Sequence, residues 1–338
     1  MVAMSTHIAL SHTPFHLLQY GLIAAAFDDG DRMVVFHEGS VPDGIPGLES
    51  VEVVTLPGST GYGDGRLVAR ANAAAVLDHS AWGHEAILYS SDLKWLTNNL
   101  VYFARPRSAR RTHTVLVTDG LGSYLDRHDL VRTSLTATSK ALLGLIGYGP
   151  RHRPLLGHHF GLDRRYAARV LGFRADRIVG DIDKLDLPLP HDLSPQEPGT
   201  HGASLVVGIP LDAHRYSEAE AHVIIDRMAT TATELSSPDQ QRWYKPHHFE
   251  AAWVGEAYQD RGFSLLTDRR PAEMLVRELG VGKLFGTYSS VLAFGPLFAG
   301  GACAAYSVCF EEFAKGYLND ADALALRAVL TDFGVTFV

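Results

Sequence analysis

Short apolar segments alternate with helix-forming segments along most of this 338-residue chain, and that alternation restricts the folds it can adopt. In the first half, strand-length apolar runs are predicted at residues 7–11, 32–37, 51–56, 86–89 and 114–118. Strands that alternate with helices form βαβ units, and such units build a parallel sheet covered by helices. The first half is therefore predicted to be a doubly wound α/β domain.

A second domain is predicted beyond a linker. The first half is expected to close with a helical region over residues 130–171 and a last strand at 177–179. Residues 191–204, which contain Pro, Gln, Gly, His and Ser, are the best linker candidate. Strands are then predicted at residues 205–208, 242–246, 263–266 and 283–287. Two Rossmann-like domains, residues 1–195 and 196–338, would place a ligand cleft between the carboxyl ends of two sheets.

The charge and hydropathy of the chain argue against several classes of function. A formal net charge of −8 and a pI near 6.1 do not suit a general nucleic-acid binder. No segment offers about 18 uninterrupted apolar residues, and the N-terminus lacks signal-peptide features, so a cytoplasmic protein without a transmembrane segment is expected. Arg-rich segments at residues 105–111 and 151–153 could contact phosphates or anionic lipid at the inner face of the membrane, but solvated loops explain them more simply.

Three other features look like ligand sites and have simpler explanations. Cys303 and Cys309 lie in an apolar run, which predicts small buried side chains rather than a disulfide or a metal site. Residues 58–65 are glycine-rich but do not fit the Gly-x-Gly-x-x-Gly spacing, so a mobile loop lining the cleft is expected. Asp181 and Asp183 form an Asp-x-Asp pair at the edge of the linker, where a solvated loop is expected. No cofactor and no metal are expected.

An aspartate follows the predicted strand at residues 114–118. Asp119 would stand at the carboxyl end of that strand, the edge where open α/β sheets hold reactive groups. Gly120 and Gly122 would allow a tight turn that keeps the carboxylate in the cleft. The alternative is an aspartate that caps the next helix.

In the second half, Lys245-Pro246-His247-His248 lies at the end of the strand predicted at residues 242–246. Pro246 fixes its own φ and favours an extended Lys245, which sets the directions of the flanking side chains. His247 could then donate a hydrogen bond or a proton near neutral pH. The alternative is a proline turn with exposed histidines.

Two further polar segments precede helices. Ser289 and Ser290 stand at the start of an apolar helix, where hydroxyls and free N–H groups suit a phosphate, although serine is also a common N-cap. Glu273 falls in the first turn of a predicted helix, where a favourable interaction with the helix dipole is the simpler explanation.

Taken together and in this order, these segments resemble the bacterial sialyltransferases of the polysialyltransferase and lipooligosaccharide sialyltransferase type. Those families share an (Asp/Glu)-(Asp/Glu)-Gly motif, a His-Pro motif often preceded by Lys, and a downstream serine pair. Here the acidic motif is similar to Thr118-Asp119-Gly120, the histidine motif to residues 245–248 and the serine pair to Ser289-Ser290. Pro271-Ala272-Glu273 resembles their Pro-x-Glu element, and residues 11–19 resemble their first strand-to-helix loop.

The resemblance implies a fold and a reaction. The fold would be GT-B, with an acceptor-side first domain and a nucleotide-binding second domain facing across a cleft. The reaction would be metal-independent, inverting transfer of sialic acid or a related nonulosonic acid from a CMP-activated donor to a hydroxyl of a glycan or cell-surface polymer. Asp119 would be the base and His247 would assist the leaving group. The implied donor-binding residues are Lys245, Pro246, Glu273, Ser289 and Ser290, and the candidate cleft or acceptor residues are Ser11, His12, Ser91 and Gly120.

The chain departs from the family pattern at two positions. Thr118 replaces the first acid, which bears on the identity of the base, and His248 replaces a proline expected to pack against the pyrimidine. Two alternatives stay open: a GT-B transferase with another donor, such as CMP-Kdo or a UDP-sugar, and a non-catalytic nucleotide-sugar-binding protein of a capsule or cell-wall assembly system.

Overall fold

The protein contains two compact units, Met1–Pro188 and Leu189–Val338, each built on its own parallel sheet. The computed structural model describes residues 5–27, 30–58, 64–82, 85–125, 153, 155, 160–189, 202–209, 216–247 and 250–338. Most of the predicted linker lies outside the described residues, and so does most of the helical region predicted over residues 130–171.

The first unit carries a seven-stranded sheet in the order β3-β2-β1-β4-β5-β6-β7. Every neighbouring pair is parallel. The strands are β1 Thr6–Ser11, β2 Arg32–Glu38, β3 Glu52–Leu56, β4 Ile87–Ser90, β5 Thr114–Val117, β6 Arg169–Gly172 and β7 Asp183–Asp186. The helices are α1 Pro14–Ala24, α2 Asp64–Asp78, α3 Leu96–Ala104 and α4 Arg107–Thr112. The strand order reverses between β1 and β4, and open α/β sheets bind ligands at such a point.

The last part of this sheet differs from the prediction. Arg169–Gly172 is strand β6 because it pairs with β5 through Val115, Leu116 and Val117, whereas the sequence pattern suggested the end of a helical region. Residues 175–177, near the predicted last strand, form a 3₁₀ turn after Arg174, whose φ is 51°. The edge strand β7 is exposed at all four positions, so it carries no apolar pattern from which it could be predicted.

The second unit repeats this arrangement with six strands in the order β10-β9-β8-β11-β12-β13, again in parallel pairs. The strands are β8 Ala203–Val207, β9 Arg242–Lys245, β10 Ser264–Leu265, β11 Val281–Gly286, β12 Ala304–Ser307 and β13 Thr336–Phe337. The helices are α5 Glu218–Leu235, α6 Ala252–Gln259, α7 Ala272–Glu278, α8 Ser290–Phe298, α9 Phe310–Tyr317 and α10 Asp320–Asp332. The order reverses between β8 and β11. The α/β class predicted for both halves is therefore confirmed.

The central strands β5 and β8 are buried along their whole length, as expected of sheets covered on both faces. In the second unit the core includes Tyr244, whose ring stacks on that of Tyr258 with 3.8 Å between ring centroids. Cys303 and Cys309 are free and buried, as predicted. Within the described segments, no helix is both long enough and apolar enough to cross a membrane.

Helix α1 is anchored near both of its ends, and it carries part of the polar cluster described below. The N–H of His16 donates to the Thr13 side chain at 3.3 Å, so Thr13 caps the helix, with Pro14 as its first residue. Further along, Gly21 packs against the loop at Pro46 and Gly47. A Cβ at Gly21 would lie 2.0 Å from the Pro46 carbonyl oxygen, and Gly47 has a φ of +77°.

A Gly21→Ala substitution tests this close approach. Because the new methyl group meets backbone rather than a movable side chain, we expect the variant to lose about 1–3 kcal/mol of stability. Gly58→Ala is the matched control, since a Cβ there has nothing within 4 Å. Chemical denaturation of the three proteins measures the loss. Equal stability of both variants would contradict the packing described for α1.

Candidate functional site

Polar side chains gather at the carboxyl edge of the first sheet, where β1, β4 and β5 are neighbours. His12 follows β1, Ser91 and Asp92 follow β4, and Asp119 lies two residues beyond β5. The carboxyl ends of parallel strands share one edge, and contacts with the start of α1 draw these side chains together.

Asp119 is the most accessible carboxylate of this cluster, with 35% of its side chain exposed. Its Oδ1 lies 3.0 Å from Nε2 of His16, a side chain only 4% exposed. The Asp119 N–H donates to Ser123 Oγ at 2.9 Å. Its carboxylate makes no capping hydrogen bond to the 3₁₀ turn Gly120–Tyr124 that follows. Gly120 begins that turn with a φ of 55°, a conformation that favours glycine.

The contacts of His16 identify which of its ring nitrogens carries the proton in the hydrogen bond with Asp119. The backbone N–H of His12 donates to Nδ1 of His16 at 3.4 Å, and Ser91 Oγ lies 3.4 Å from the same nitrogen. A nitrogen that accepts a hydrogen bond from an N–H carries no proton, so in the neutral ring the proton resides on Nε2. His16 therefore donates to the Asp119 carboxylate.

The pKa values of Asp92 and Asp119 are shifted in opposite directions. Burial raises the pKa of Asp92 to about 8, and the negative charge of Asp119 adds to that shift. Burial opposes ionisation of Asp119, but the hydrogen bond that His16 donates, together with the nearby cation of Lys94, lowers the pKa of Asp119 below its ordinary value. At neutral pH, Asp119 is the anion of the pair and Asp92 holds a proton.

Position 118, where the family motif has an acid, lies in the core. Thr118 is fully buried, and Gln19 Nε2 donates to its Oγ1 at 3.0 Å and to its carbonyl oxygen at 3.1 Å. A Cβ at Gly172 would lie 2.3 Å from Thr118 Cγ2, so the threonine methyl fills the space beside that glycine. The side chain of position 118 therefore serves packing, and Asp119 is the motif carboxylate that reaches solvent.

Ser11, which ends β1, and His12, which follows it, have different surroundings. Ser11 is buried, and its Oγ lies 2.9 Å from Nδ1 of His37. The His12 side chain is 9% exposed, its Nδ1 lies 3.6 Å from Glu38 Oε2, and its ring packs on Trp95 with 4.6 Å between centroids. Burial lowers the pKa of His12 and lowers that of His37 to about 4, so both rings are neutral at pH 7.

Sequence reasoning missed His16, Asp92 and Glu38 as members of this cluster. Asp92 could have been found, because it lies shortly after the strand predicted at residues 86–89, as Asp119 lies directly after the one predicted at 114–118. Glu38 accepts hydrogen bonds from Asn72, Trp95 and Thr97, residues that only the tertiary structure brings to it.

In the second unit, three predicted donor-binding residues lie close together. Lys245 ends β9, and its ammonium donates to the carbonyl oxygen of Asp268. Glu273 is only 2% exposed, and its Oε1 lies 3.4 Å from Ser290 Oγ. Burial raises the pKa of Glu273 to about 7, while the positive charge of Lys245 partly opposes that rise.

The serine pair begins α8, as predicted. Ser289 is the N-cap, and its Oγ accepts the N–H of Val291 at 3.2 Å. Two residues earlier, Thr287 is fully buried after β11, and its Oγ1 has no hydrogen-bond partner among the described residues. This helix start therefore carries hydroxyl groups at Thr287, Ser289 and Ser290.

His247 lies beyond the end of β9, in a turn closed by Glu250. Its N–H donates to Glu250 Oε2 at 2.9 Å, and the N–H of Glu250 donates back to the His247 carbonyl oxygen at 2.9 Å. His248, the departure from the family motif, lies outside the described residues. Pro246 is half-buried between Lys245 and this turn.

The Asp-x-Asp pair lies away from this edge and contacts a cation of the protein itself. Arg164 Nε lies 3.4 Å from Asp181 Oδ1, and its Nη2 lies 3.1 Å from Asp183 Oδ1. In the part of the chain that the structure describes, no group of three or more His, Cys, Asp or Glu side chains is placed to hold a metal ion.

Comparison with known proteins identifies the fold. No family model matches the sequence, and no curated protein matches it. Among solved structures, the chain is similar to an α/β-galactoside α-2,3-sialyltransferase from the luminous marine bacterium Photobacterium phosphoreum, with a TM-score of 0.53, 10% identity and coverage of 99% of this chain and 98% of that one. This likeness, with the two parallel sheets, confirms the predicted GT-B architecture of two Rossmann-like domains.

Two other solved structures are similar at lower scores. MurG of Acinetobacter baumannii has a TM-score of 0.43 and 10% identity, with 98% of this chain and 85% of that one covered. Arabidopsis thaliana UGT89C1 complexed with UDP has a TM-score of 0.47 and 11% identity, with 97% and 93% covered.

An Asp92→Asn substitution tests the protonation of the carboxylate pair. Folded Asp92 keeps its proton between its ordinary pKa of 3.8 and about 8, where the unfolded chain has lost it, so stability falls as pH rises through that window. Asparagine removes this dependence, and we expect the variant to gain roughly 2–4 kcal/mol on wild type between pH 5 and pH 8. Urea denaturation at both pH values measures it. The exposed Asp78→Asn is the control, and parallel curves for wild type and Asp92→Asn would contradict the assignment.

Proposed function

We propose that this protein is an inverting, metal-independent glycosyltransferase that transfers sialic acid or a related nonulosonic acid from a CMP-activated donor to a hydroxyl acceptor. The observation that carries the proposal is the placement of the motifs on a GT-B fold. Asp119, the segment from Lys245 to His247 and the serine pair each follow the carboxyl end of a central parallel strand.

In this proposal, Asp119 takes the proton from the acceptor hydroxyl as that hydroxyl attacks the anomeric carbon. Inversion in a single displacement needs a base that is ionised and reachable by the acceptor. Asp119 is anionic because His16 donates to it, and a third of its side chain is exposed. Asp92 holds its proton at neutral pH and is buried, so it is the weaker candidate. Ser91, His12 and Gly120 would border the acceptor, with Ser11 behind them.

The second unit would hold the donor nucleotide. The start of α8 would offer the Ser289 and Ser290 hydroxyls to the single phosphate of CMP, at the positive end of the helix dipole. Glu273, buried beside Ser290, would accept hydrogen bonds from the ribose hydroxyls, and Lys245 with Pro246 would contact the cytosine. As the bond between the anomeric carbon and the phosphate oxygen of CMP breaks, negative charge grows on the departing phosphate in the transition state. His247 would donate a hydrogen bond to that phosphate.

A substitution of Asp119 by asparagine tests the base. The change preserves the shape of the side chain and removes its basicity, so we expect transfer to fall by about 10²–10⁴-fold while CMP binding survives. Release of CMP in the presence of a glycan acceptor measures turnover, and calorimetry measures binding. Asp176→Asn, which alters an exposed carboxylate of the same unit, is the control. Near-normal transfer by Asp119→Asn would move the base to another residue.

Thermal stability with nucleotides tests the donor. A ligand at 100 times its Kd stabilises a protein by ~2.7 kcal/mol, so CMP should raise the unfolding temperature more than UDP does. Alanine at both Ser289 and Ser290 should weaken CMP binding, since each hydrogen bond to a charged phosphate is worth roughly 1.5–3 kcal/mol. Ser237→Ala is the control, because it alters an exposed serine that follows the C-terminal end of α5.

Other outcomes of this comparison identify the alternatives. Stabilisation by UDP and not by CMP would indicate a UDP-sugar transferase. CMP release from CMP-Kdo alone would change the donor sugar. CMP binding without turnover of any CMP-nonulosonate, with or without a glycan panel, would indicate a nucleotide-sugar-binding protein that does not catalyse transfer.

A further inference from the structure

The chain leaves β9 through Pro246 and His247, which lie outside any strand or helix. The ladder of β9 ends where the N–H of Gly208 donates to the Lys245 carbonyl oxygen at 2.8 Å. Pro246 has no N–H, so the first backbone donor beyond the strand is that of His247. The next helix, α6, begins only at Ala252. The backbone orientation of His247 therefore depends on the contact that its own N–H group makes.

That contact is the carboxylate of Glu250. A single oxygen, Oε2, accepts the N–H of His247 at 2.9 Å and the hydroxyl of Tyr244 at 2.5 Å. The backbone of Glu250 in turn donates to the carbonyl oxygen of His247 at 2.9 Å. His247 is thus held at both of its backbone polar groups by one residue, and neither bond involves a neighbour in a strand or a helix.

The Glu250 carboxylate is itself held in place by the Tyr244 hydroxyl and by close packing against Gly208. Tyr244 is buried in the core, where its ring stacks on that of Tyr258, so its hydroxyl is a rigid donor. Gly208, just beyond β8, leaves the space the carboxylate occupies. A Cβ there would lie 2.4 Å from Glu250 Oε2, 2.7 Å from the His247 nitrogen and 2.7 Å from the Tyr244 hydroxyl. The seat of His247 is therefore formed by Gly208, Tyr244 and Glu250.

We infer that Glu250 is a positioning residue for His247, which it orients for the departing phosphate through the backbone. The inference rests on the proposed function, since it takes its role from His247. Glu250 need not touch the donor. The positioning role requires only an oxygen that accepts hydrogen bonds from the Tyr244 hydroxyl and the His247 N–H. The amide oxygen of a glutamine at position 250 can accept both.

The experiment compares Glu250→Ala with Glu250→Gln in the full-length protein. Loss of the seat lets His247 shift, and a misplacement of about 1 Å costs about 10²-fold in rate. We expect Glu250→Ala to lower kcat for CMP release by about that factor with little change in the Kd for CMP, and Glu250→Gln to keep most of the activity. Glu256→Ala, an exposed carboxylate on α6, is the control.

A second measurement does not depend on activity. Hydrogen exchange of the His247 amide, followed by NMR, should speed up in Glu250→Ala and stay slow in Glu250→Gln. Faster exchange together with wild-type turnover in Glu250→Ala would overturn the inference, and so would a glutamine variant as inactive as the alanine one. A wild-type protein that releases no CMP would instead overturn the proposed function, while the exchange rates would still report whether Glu250 holds the turn.

Discussion

Parallel pairing of the strands is the constraint on which the rest of the structure depends. In both sheets each described strand runs in the same direction as its neighbours, so all carboxyl ends lie on one edge. The residues just beyond those ends become neighbours, although long stretches of chain separate them. His16 and Asp119, which share a hydrogen bond, are 103 residues apart. The candidate site residues of each unit lie at that edge because it is where the chain leaves the sheet.

Burial then gives these carboxylates different properties. Asp92 and Glu273 are nearly inaccessible, and burial raises the pKa of each towards or above neutrality. Glu250 is half-buried, and burial likewise raises its pKa to about 7. Asp119 escapes this effect because His16 donates a hydrogen bond to it and part of its side chain meets water. One carboxylate of the group is thereby kept ionised and accessible, which is what abstraction of an acceptor proton requires.

Backbone constraints place the two segments that the proposed function assigns to the donor. The Ser289 hydroxyl accepts the N–H of Val291 and so caps α8, which sets the position of Ser289 at the start of that helix. His247 has no helix or strand to hold it, and the acceptor oxygen of Glu250 takes that role. Both arrangements use an oxygen to fix a backbone N–H, and both leave a polar side chain at the edge of the same sheet.

The sequence by itself determined the α/β class, the position of most central strands and the polar residues that follow them. Those features are local, because apolar runs of strand length and the residues next to them can be recognised without knowledge of their partners. The tertiary structure alone decided that Arg169–Gly172 is a strand, since its pairing with β5 outweighs its local pattern. It also decided that Thr118 faces the core, that His16 reaches Asp119, and that Glu250 holds His247. Each of these depends on which distant side chain fills the adjoining space, and no periodicity in a single segment records that.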